Sequence, residues 1–215
     1  MQSLREISLF NGLSDDELSL LEKSANKKTF PRNTILVSEG DTTDSLYIIC
    51  SGKVKVIIND DEGREVILSV LGAGDYFGEM ALLDNEPRSA CVMTKEQTEL
   101  LTISKQSFMD IFSSHPVAYN LLTGLTRRLR EANKKIESLA LLDVYGRIAR
   151  LFAQLAAEQE NGTHTLEKLT HQEIANMIGS SREMVSIILK ELVNGSFITI
   201  DKKHITINKK LPYSW

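Results

Sequence analysis

The sequence predicts an α+β chain, in which an antiparallel β-sandwich or jelly roll precedes one long helix and a smaller helical domain ending in a β-hairpin. Short apolar runs separated by glycines fill the region from Lys28 to Ser104, as in sandwiches and jelly rolls. Apolar residues at alternating three- and four-residue steps run from Ala118 to Leu139, as in a long helix with a narrow apolar seam. Beyond it, two short amphipathic stretches meet at Gly179.

The composition is that of a globular protein. The chain has 215 residues, of which 42% are hydrophobic and 25% charged, which suits one large or two small domains with proper cores. No apolar run approaches the roughly 20 residues needed to span a bilayer. The charged start, MQSLREISLFNGLSDDEL, lacks the apolar core of a secretory signal. We therefore expect a cytoplasmic protein that does not enter a membrane.

The first elements are predicted from residue spacing. Apolar residues at helical spacing up to residue 24, with Ser14 and Glu17 as a capping box, predict one or two short helices. The runs predicted to be strands are TILV, SLYIIC, KVKVII, EVILSVL, ACVM and ELLTI. The polar stretch from Asn59 to Gly63 is predicted to be a hairpin tip.

A short helix is predicted from Lys105 to Ser113, and Pro116 suits the first turn of the long helix. The apolar seam of the long helix consists of Ala118, Leu122, Leu125, Leu129, Ala132, Ile136 and Leu139. Two interpretations fit: the seam packs on the chain's own sandwich, or it forms a parallel coiled coil through residues 118–139 of a two-fold homodimer. We favour the coiled coil, because a packing stripe within one domain is usually wider and less regular.

The stretch from Phe77 to Val92, FGEMALLDNEPRSACV, has the chemistry of a pocket for a small phosphorylated ligand. Gly78 permits a backbone course closed to other residues, and a helix beginning at Glu79 would present unpaired amide N–H groups to an anion. Arg88 adds a planar cation and Ser89 a hydroxyl group. Glu79 would repel a phosphate, so it suits a neutral group such as a ribose hydroxyl. A phosphate and a sugar hydroxyl together suggest a nucleotide.

A second domain is predicted where the apolar seam breaks, between Leu141 and Tyr145. A new helix is expected from about Val144 to Glu158, followed by a loop from Gln159 to Thr163. Thr170 and Glu173 then form a capping box for the next helix.

The segment QEIANMIGSSREMVSIILKEL has the layout of a helix-turn-helix. Its apolar positions form a core between two helices, and Gly179 occupies the turn, where a positive φ is needed. The alternative is an ordinary helical hairpin, which the simultaneous fit of all these positions disfavours. The outer face of the second helix, which would enter a DNA major groove, consists of Arg182, Glu183, Ser186, Ile187 and Lys190.

The chemistry of these side chains suggests their roles on DNA. Arg182 can donate a bidentate pair to guanine, while Glu183 can accept from a cytosine amino group or cap the helix three residues after Ser180. The segments ITID and HITI alternate around a lysine pair, which predicts a small hairpin beside the helices. The residues placed to contact DNA phosphates are Thr170, Ser181, Lys202, Lys203 and His204.

Charge and cysteine content agree with this division. Residues 1–133 contain 14 Lys and Arg against 20 Asp and Glu, whereas residues 134–215 contain 11 against 9, so a polyanion should meet the second part. Cys50 and Cys91 have no CxxC spacing, and the four histidines are scattered. We therefore predict no metal site, no disulfide framework and no catalytic residue.

Together these motifs resemble the cAMP receptor protein family of bacterial transcription regulators over essentially the whole chain. FGEMALLDNEPRSACV resembles the family's phosphate-binding cassette, LALLDVYGRIAR its interdomain hinge, and HQEIANMIGSSREMVSIILKEL its helix-turn-helix. The resemblance implies a cyclic-nucleotide-binding jelly-roll domain over residues 1–115, a dimerisation helix and hinge over 116–142, and a winged helix-turn-helix DNA-binding domain over 143–215. It also implies duplex DNA, a second copy of the chain and RNA polymerase as partners.

The implied effector is cAMP or a related cyclic nucleotide, with no covalent cofactor. Arg88 and Ser89 would bind the cyclic phosphate, and Glu79 the ribose 2′-hydroxyl. The full set of implied ligand-binding residues is Gly78, Glu79, Met80, Ala81, Arg88, Ser89, Ala132 and Asn133.

The chain departs from the family pattern in several places. The family's cAMP sensors contact adenine with a Thr-Ser pair on the dimer helix, where this chain has Ala132 and Asn133; Asn133 still offers a donor and an acceptor to a purine. Ile187 replaces an arginine that helps read the half-site, so a different operator is expected there. The cassette is shorter between Glu79 and Arg88, and the N-terminal cysteine cluster of the family's oxygen sensors is absent.

These residues bear on three candidate functions. The first is a DNA-binding regulator gated by cAMP or a close relative, which Glu79, Arg88 and Ser89 favour. The second keeps the DNA binding but takes another input: a cyclic dinucleotide, another metabolite or none. The third is an enzyme such as a nucleotide hydrolase, for which no nucleophile with its base and no metal cluster appears in the sequence.

Overall fold

The computed structural model describes residues 4–112, 115–159 and 163–211, and these form two compact units divided between Leu129 and Arg130. Ser113, the predicted end of the short helix, and residues 160–162 of the predicted loop lie outside the described residues. Each unit has its own hydrophobic core.

The first unit consists mainly of short strands. Two 3₁₀ turns, Leu4–Glu6 and Ser8–Phe10, precede its first helix. The helices are α1 (Asp15–Ser24), α2 (Glu79–Asp84), α3 (Lys105–Phe112) and α4 (His115–Leu141), the last of which continues past Leu129. The strands are β1 (Asn26–Phe30), β2 (Ile35–Val37), β3 (Ser45–Ser51), β4 (Val54–Asn59), β5 (Glu65–Leu71), β6 (Tyr76–Phe77), β7 (Cys91–Thr94) and β8 (Thr98–Ser104).

Two four-stranded antiparallel sheets, with strand orders β1-β8-β3-β6 and β2-β7-β4-β5, confirm the predicted antiparallel sandwich. The apolar runs supply its interior, where Ile49 on β3 and Leu100 on β8 pack with Val54 on β4 and Val92 on β7. Other buried residues of the first sheet, such as Leu46, pack in a separate cluster with the helices of this unit. Strand β1 was not predicted, because its sequence NKKTF is polar and mostly exposed. It adds to the sheet edge by backbone pairing with β8.

Two local predictions in this unit are confirmed. The polar tip after Asn59 joins β4 to β5, and Asp60 Oδ1 accepts hydrogen bonds from the backbone N–H of Glu62 at 3.0 Å and of Arg64 at 2.9 Å. At α1, Ser14 and Glu17 form the capping box, with Ser14 N donating to Glu17 Oε2 at 2.8 Å.

Helix α4 presents different residues to its own sandwich and to solvent. Val117 and Leu121 are buried in the core of the first unit, and Leu125 packs partly against it. Most of the larger seam residues are instead exposed: Leu122 by 63%, Leu129 by 62%, Ile136 by 64% and Leu139 by 56%. Packing on the sandwich therefore uses mainly a different face of α4 from the apolar seam.

The second unit contains the end of α4, three further helices and one small sheet. The helices are α5 (Val144–Leu155), α6 (His171–Ile178) and α7 (Arg182–Asn194). The strands are β9 (Ala157–Glu158), β10 (His164–Glu167), β11 (Ile198–Ile200) and β12 (His204–Ile207), in the order β11-β12-β10-β9. The core of α5, α6 and α7 includes Phe152, Ile174, Val185 and Ile188.

The predicted terminal hairpin is confirmed as β11 and β12, but it is only half of a four-stranded antiparallel sheet. The helix predicted to reach Glu158 ends at Leu155, because the next residues pair with β10, Ala157 opposite Thr165 and Glu158 opposite His164. Tertiary pairing here overrides the helical preference of alanine and glutamate.

The two helix-turn-helix segments are capped much as the sequence indicates. Thr170 and Glu173 form the predicted capping box of α6, and Gly179 ends that helix with φ of 62°. The N-cap of α7 is Ser181, whose hydroxyl accepts from Met184 N at 3.2 Å. The interpretation of Glu183 as a capping partner of Ser180 is therefore wrong, because the helix begins one residue later than that pairing requires.

Candidate functional site

The backbone at the start of the cassette depends on a glycine. Gly78 has φ of 88° and is the N-cap of α2, so the predicted helix start at Glu79 is confirmed. A Cβ atom at this position would lie 2.5 Å from Arg88 Nη1 and 2.9 Å from Ser45 O. Both the positive φ and the close approach of Arg88 exclude a larger residue.

Arg88 is a buried cation, with 4% of its surface exposed. Its Nε donates to Thr43 Oγ1 at 3.0 Å, its Nη1 to Gly78 O at 2.7 Å and its Nη2 to Ser45 O at 2.7 Å. A guanidinium has five N–H groups, so each terminal nitrogen retains one N–H for a ligand.

All three acceptors of Arg88 are neutral, and no carboxylate of the described residues forms an ion pair with it. Burial lowers the pKa of the Arg88 guanidinium, while the more distant Tyr47 and Glu79 act in the opposite direction. Desolvation of a cation is offset only in part by neutral acceptors. The site is therefore electrostatically prepared for an anion.

The structure brings Ser89 and Met80 together beside α2. Ser89 is exposed, and its hydroxyl makes only a weak contact with Met80 Sδ at 3.8 Å. Met80 is itself 49% exposed, whereas Ala81 is half-buried in the same helix. The Ser89 hydroxyl is thus available to a ligand that reaches Arg88.

Glu79 is also buried, with 3% exposed, but it has a charged partner that sequence reasoning missed. Its Oε1 accepts from Arg128 Nη1 at 2.6 Å, and Arg128 Nη2 donates to the backbone oxygen of Tyr76. The Arg128 guanidinium also lies over the Tyr76 ring, 4.7 Å from its centre. The second carboxylate oxygen of Glu79 has no hydrogen-bond partner in the described part of the chain, so it can accept from a hydroxyl group.

A helical spacing signal could have identified Arg128. Val117, Leu121, Gly124 and Arg128 lie four, three and four residues apart, which places them on the face of α4 that packs on the sandwich. The regular apolar seam lies on another face of α4 and gives no sign of Arg128.

Tyr76 fills the space between β6 and α4. Its hydroxyl oxygen is buried without a hydrogen-bond partner among the described residues, and a Cβ atom at Gly124 would overlap it. Burial raises the pKa of the Tyr76 phenol, while Arg128 opposes this shift. The helix therefore approaches the cassette closely because residue 124 is a glycine.

The other two predicted ligand residues, Ala132 and Asn133, are exposed on α4 within the second unit. No hydrogen bond of the described residues engages the Asn133 amide. The assignment of this pair to the base of a nucleotide remains a prediction.

Helix α7 carries the residues that the sequence predicts to face DNA. Val185, Ile188, Leu189 and Leu192 are buried against the core of the second unit, as the sequence predicts. Of the predicted outer face, Ser186 alone is half-buried, while Arg182, Glu183, Ile187 and Lys190 are exposed.

Several hydroxyl groups of this surface are already hydrogen-bonded within the protein. Thr170 and Ser181 cap helices, and the Ser186 hydroxyl donates to Arg182 O at 2.9 Å and contacts His171 Nδ1 at 2.7 Å. The Ser186 hydroxyl proton is thus used within the protein, and the assignment of Ser186 to the DNA-facing surface remains a prediction.

The hairpin turn presents Lys202 and Lys203 to solvent. Asp201 Oδ1 accepts from the backbone N–H of Lys203 at 2.6 Å and of His204 at 2.7 Å, which holds the turn. These bonds, that of His204 first, lower the pKa of Asp201. Arg147 on α5, not singled out from the sequence, donates to Ile178 O at 2.7 Å and so holds the end of α6.

Two negative findings concern the described residues alone. None of their His, Cys, Asp and Glu side chains form a group of three or more that could hold a metal ion. No helix within the described ranges is both long and apolar enough to cross a bilayer.

Comparison with known proteins matches both halves of the chain. The cyclic nucleotide-binding domain family matches residues 27–115, and the Crp-like helix-turn-helix domain family matches residues 146–210. A CRP-like cAMP-activated global transcriptional regulator of Mycobacterium tuberculosis is 32% identical over 210 residues, which are 95% of this chain and 94% of that protein. The chain belongs to the CRP family of transcriptional regulators.

Further members of the CRP family are similar in sequence and structure. The cAMP-activated global transcriptional regulator CRP of Haemophilus influenzae is 39% identical over 183 residues, covering 83% of this chain and 82% of that one. The c-di-GMP responsive global regulator CLP of Xanthomonas campestris has a TM-score of 0.80 at 26% identity and covers 91% of this chain. The resemblance stated from the motifs is confirmed, and CRP-family membership makes the protein a DNA-binding regulator rather than an enzyme.

Proposed function

We propose that the protein is a homodimeric transcription regulator whose affinity for operator DNA is controlled by cAMP or a closely related cyclic nucleotide bound in the first unit. Arg88 carries this proposal, because it is a buried cation with neutral acceptors and unused N–H groups. A cyclic phosphate would supply the missing negative charge and accept these N–H groups in charge-assisted hydrogen bonds.

The other cassette residues complete the proposed ligand site. Ser89 offers a free hydroxyl to the same phosphate, and Gly78, Met80 and Ala81 supply the adjoining backbone. Glu79, held through Oε1 by Arg128, keeps its second oxygen for the ribose 2′-hydroxyl. A carboxylate that accepts from a hydroxyl does not have to approach the phosphate charge.

The proposed effector is cAMP, and c-di-GMP is the second candidate. Two relatives, at 32% and 39% identity, are named as cAMP-activated regulators. The second candidate is favoured by the similarity to a c-di-GMP responsive regulator and by Ala132, which offers no hydroxyl to adenine. Other metabolites and a ligand-independent protein are outcomes of the same test.

Titration calorimetry tests the ligand. Wild-type protein should bind cAMP or another member of a panel containing cGMP and c-di-GMP, and Arg88→Ala should lose that binding. Arg64→Ala, at an exposed hairpin tip, should retain it. Retained binding by Arg88→Ala would place the pocket elsewhere, and no binding by the wild type to any nucleotide would contradict the proposed effector.

We propose that the exposed seam of α4 forms the dimer. Four of its large apolar side chains are more than half exposed in the single chain, an arrangement that a parallel coiled coil would cover. Sedimentation should show a dimer for the wild type and a monomer for Leu129→Asp. Leu20→Asp, which changes an equally exposed leucine on α1, should remain dimeric.

In the proposed dimer, nucleotide binding by the first unit would control DNA binding by α7. Two copies of α7 could enter successive major grooves, about 34 Å apart. Nucleotide binding would favour one orientation of the DNA-binding units about the hinge at Leu142 and Asp143, and coupling of about 1–3 kcal/mol is usual for such a switch. We further propose a cytoplasmic location, with RNA polymerase as the partner when the regulator activates.

A further inference from the structure

His171 and Ser186 form a side-chain pair between the two helices of the helix-turn-helix. His171 Nδ1 lies 2.7 Å from Ser186 Oγ, which in turn lies 2.9 Å from Arg182 O. A carbonyl oxygen only accepts, so the single hydroxyl proton of Ser186 is donated to Arg182. The hydroxyl oxygen must then accept from His171, and Nδ1 carries the proton of the neutral ring.

This tautomer leaves a lone pair on the other ring nitrogen of His171. Nε2 has no hydrogen-bond partner among the residues that the structure describes, and the ring lines an open cleft with Thr170, Gln172 and Arg182. The Gln172 amide donates to Asn176 at 2.7 Å, and the Thr170 hydroxyl caps α6. The Thr170 and Gln172 side chains are therefore already hydrogen-bonded, whereas His171, which lines the cleft together with Arg182, has a ring nitrogen that can bind a ligand.

A phosphate oxygen and an imidazole lone pair repel one another, whereas a protonated imidazole donates from both nitrogens. We propose that His171 contacts a DNA phosphate only when it is protonated, and that Ser186 imposes this requirement by holding the ring proton on Nδ1. DNA binding is then coupled to the uptake of a proton. This inference rests on the proposed docking of α7 on DNA.

The surrounding charges act on the same equilibrium. The charged groups on the helices around the pair are Glu173 on α6, Arg182, Glu183, Lys190 and Glu191 on α7, and Arg147 and Arg150 on α5. Glu173 is held in the capping box, and Arg147 and Arg150 donate elsewhere, Arg147 at the opposite end of α6. Arg182 lies in the cleft itself, and an incoming phosphate brings the negative charge that favours a protonated ring beside it.

The pH dependence of DNA affinity tests the inference. A fluorescent duplex of unrelated sequence serves as the probe, because phosphate contacts do not depend on sequence. Salt is held constant and the pH is varied between about 8.5 and 5.5, the range that brackets imidazole titration. Wild-type affinity should increase as the pH falls, by up to about tenfold per pH unit for each subunit that docks, which is the limit for one coupled proton per subunit. His171→Gln should reduce this dependence, leaving at most the part due to His204 at the hairpin turn, and the control His164→Gln, on exposed β10, should keep it in full.

Ser186→Ala distinguishes positioning of the ring from simple support of the fold. Without the hydroxyl the neutral ring can carry its proton on Nε2, so this variant should bind DNA more tightly than wild type at alkaline pH and show a flatter profile. Nitrogen NMR at alkaline pH should show the Nδ1–H tautomer of His171 in the wild type and loss of that preference in Ser186→Ala.

Two results would overturn the inference: identical pH profiles for wild type and Ser186→Ala, or a wild-type slope in His171→Gln. A wild-type protein that binds no duplex at any pH would instead refute the proposed DNA docking, while the NMR result on the free protein would still report on the tautomer. Thermal melting of each variant checks that it is folded. If His171→Gln does not fold, the comparison of wild type with Ser186→Ala tests the inference.

Discussion

The cassette and the recognition helix each depend on an arginine, but the chain holds the two in opposite environments. Arg88 is 4% exposed and surrounded by neutral acceptors, whereas Arg182 lies exposed at the first turn of α7. A buried cation keeps much of its desolvation penalty until an anion arrives, so one small ligand can have a large effect. An exposed cation is screened by salt and acts together with many other phosphate contacts. One region suits an input signal and the other a DNA contact.

The largest difference is expected when each arginine becomes lysine. Arg88→Lys keeps the charge but cannot reach all three acceptors, so Gly78 O or Ser45 O is left unpaired. We expect the free energy of unfolding to fall by about 2–3 kcal/mol, against less than about 0.5 kcal/mol for the exposed Arg182→Lys. Urea titration measures both, and equal losses would show that Arg88 is not uniquely held.

Removing the partner of Glu79 should have the next largest effect. Arg128→Gln leaves a buried carboxylate without its cation, which we expect to lower the free energy of unfolding by about 2 kcal/mol, since Arg128 is itself 30% exposed. Nucleotide affinity should also fall, because Glu79 is no longer held. The neighbouring Arg127→Gln, on an exposed side chain, is the control for denaturation and calorimetry and should change neither quantity.

A methyl group at Gly124 tests the close approach of α4 to Tyr76. Alanine usually stabilises a helix interior by about 1 kcal/mol relative to glycine, yet Gly124→Ala should destabilise by about 1–3 kcal/mol because its Cβ overlaps the Tyr76 hydroxyl. Tyr76→Phe removes that hydroxyl and should restore much of the loss in the double variant. Additive effects in a double-mutant cycle by urea denaturation would contradict the contact.

Each unit contains a helix that begins with a capping box, so the same substitution can be compared in both units. Ser14→Ala on α1 and Thr170→Ala on α6 should each lower the free energy of unfolding by about 1 kcal/mol. Thr170→Ala should also weaken DNA binding, measured by anisotropy, whereas Ser14→Ala should not. Equal DNA affinities for the two variants would remove Thr170 from the proposed interface.

The smallest effect concerns two exposed turns in acid. Backbone N–H groups of Arg64 and of His204 and Lys203 lower the pKa of Asp60 and Asp201 respectively. A carboxylate with a lowered folded-state pKa stabilises above its unfolded pKa and loses that contribution as pH falls through the folded one. Below about pH 4 the free energy of unfolding should therefore decrease slightly. Asp60→Asn and Asp201→Asn should each make this decrease with pH less steep, in acid titrations followed by circular dichroism. An unchanged slope would contradict the turn bonds.

Features set by neighbouring residues were predictable. The sandwich, the helix-turn-helix, Gly78 and both capping boxes follow from alternation, periodicity or bonds between residues three apart. The anion-binding character of the cassette was also predicted, although only the structure reveals that Arg88 is buried without a carboxylate.

What could not be predicted depends on residues far apart in the chain. Arg128 reaches Glu79 across 49 positions, and Ser186 meets His171 across 15. No local pattern specifies such partners, because packing of separate elements decides which polar groups meet. The short strand β9 was missed for the same reason, since backbone pairing with β10 outweighed the helical preference of Ala157 and Glu158.

The central claim is that a nucleotide at Arg88 controls the affinity of α7 for DNA. The most direct measurement is the anisotropy of a palindromic duplex, selected in vitro with the wild-type protein, titrated with and without saturating cAMP or the nucleotide that binds by calorimetry. The wild type should bind roughly 5- to 150-fold more tightly with nucleotide, and Arg88→Ala should bind equally with and without it. The same gain in Arg88→Ala, or no gain in the wild type with any nucleotide, would contradict the claim.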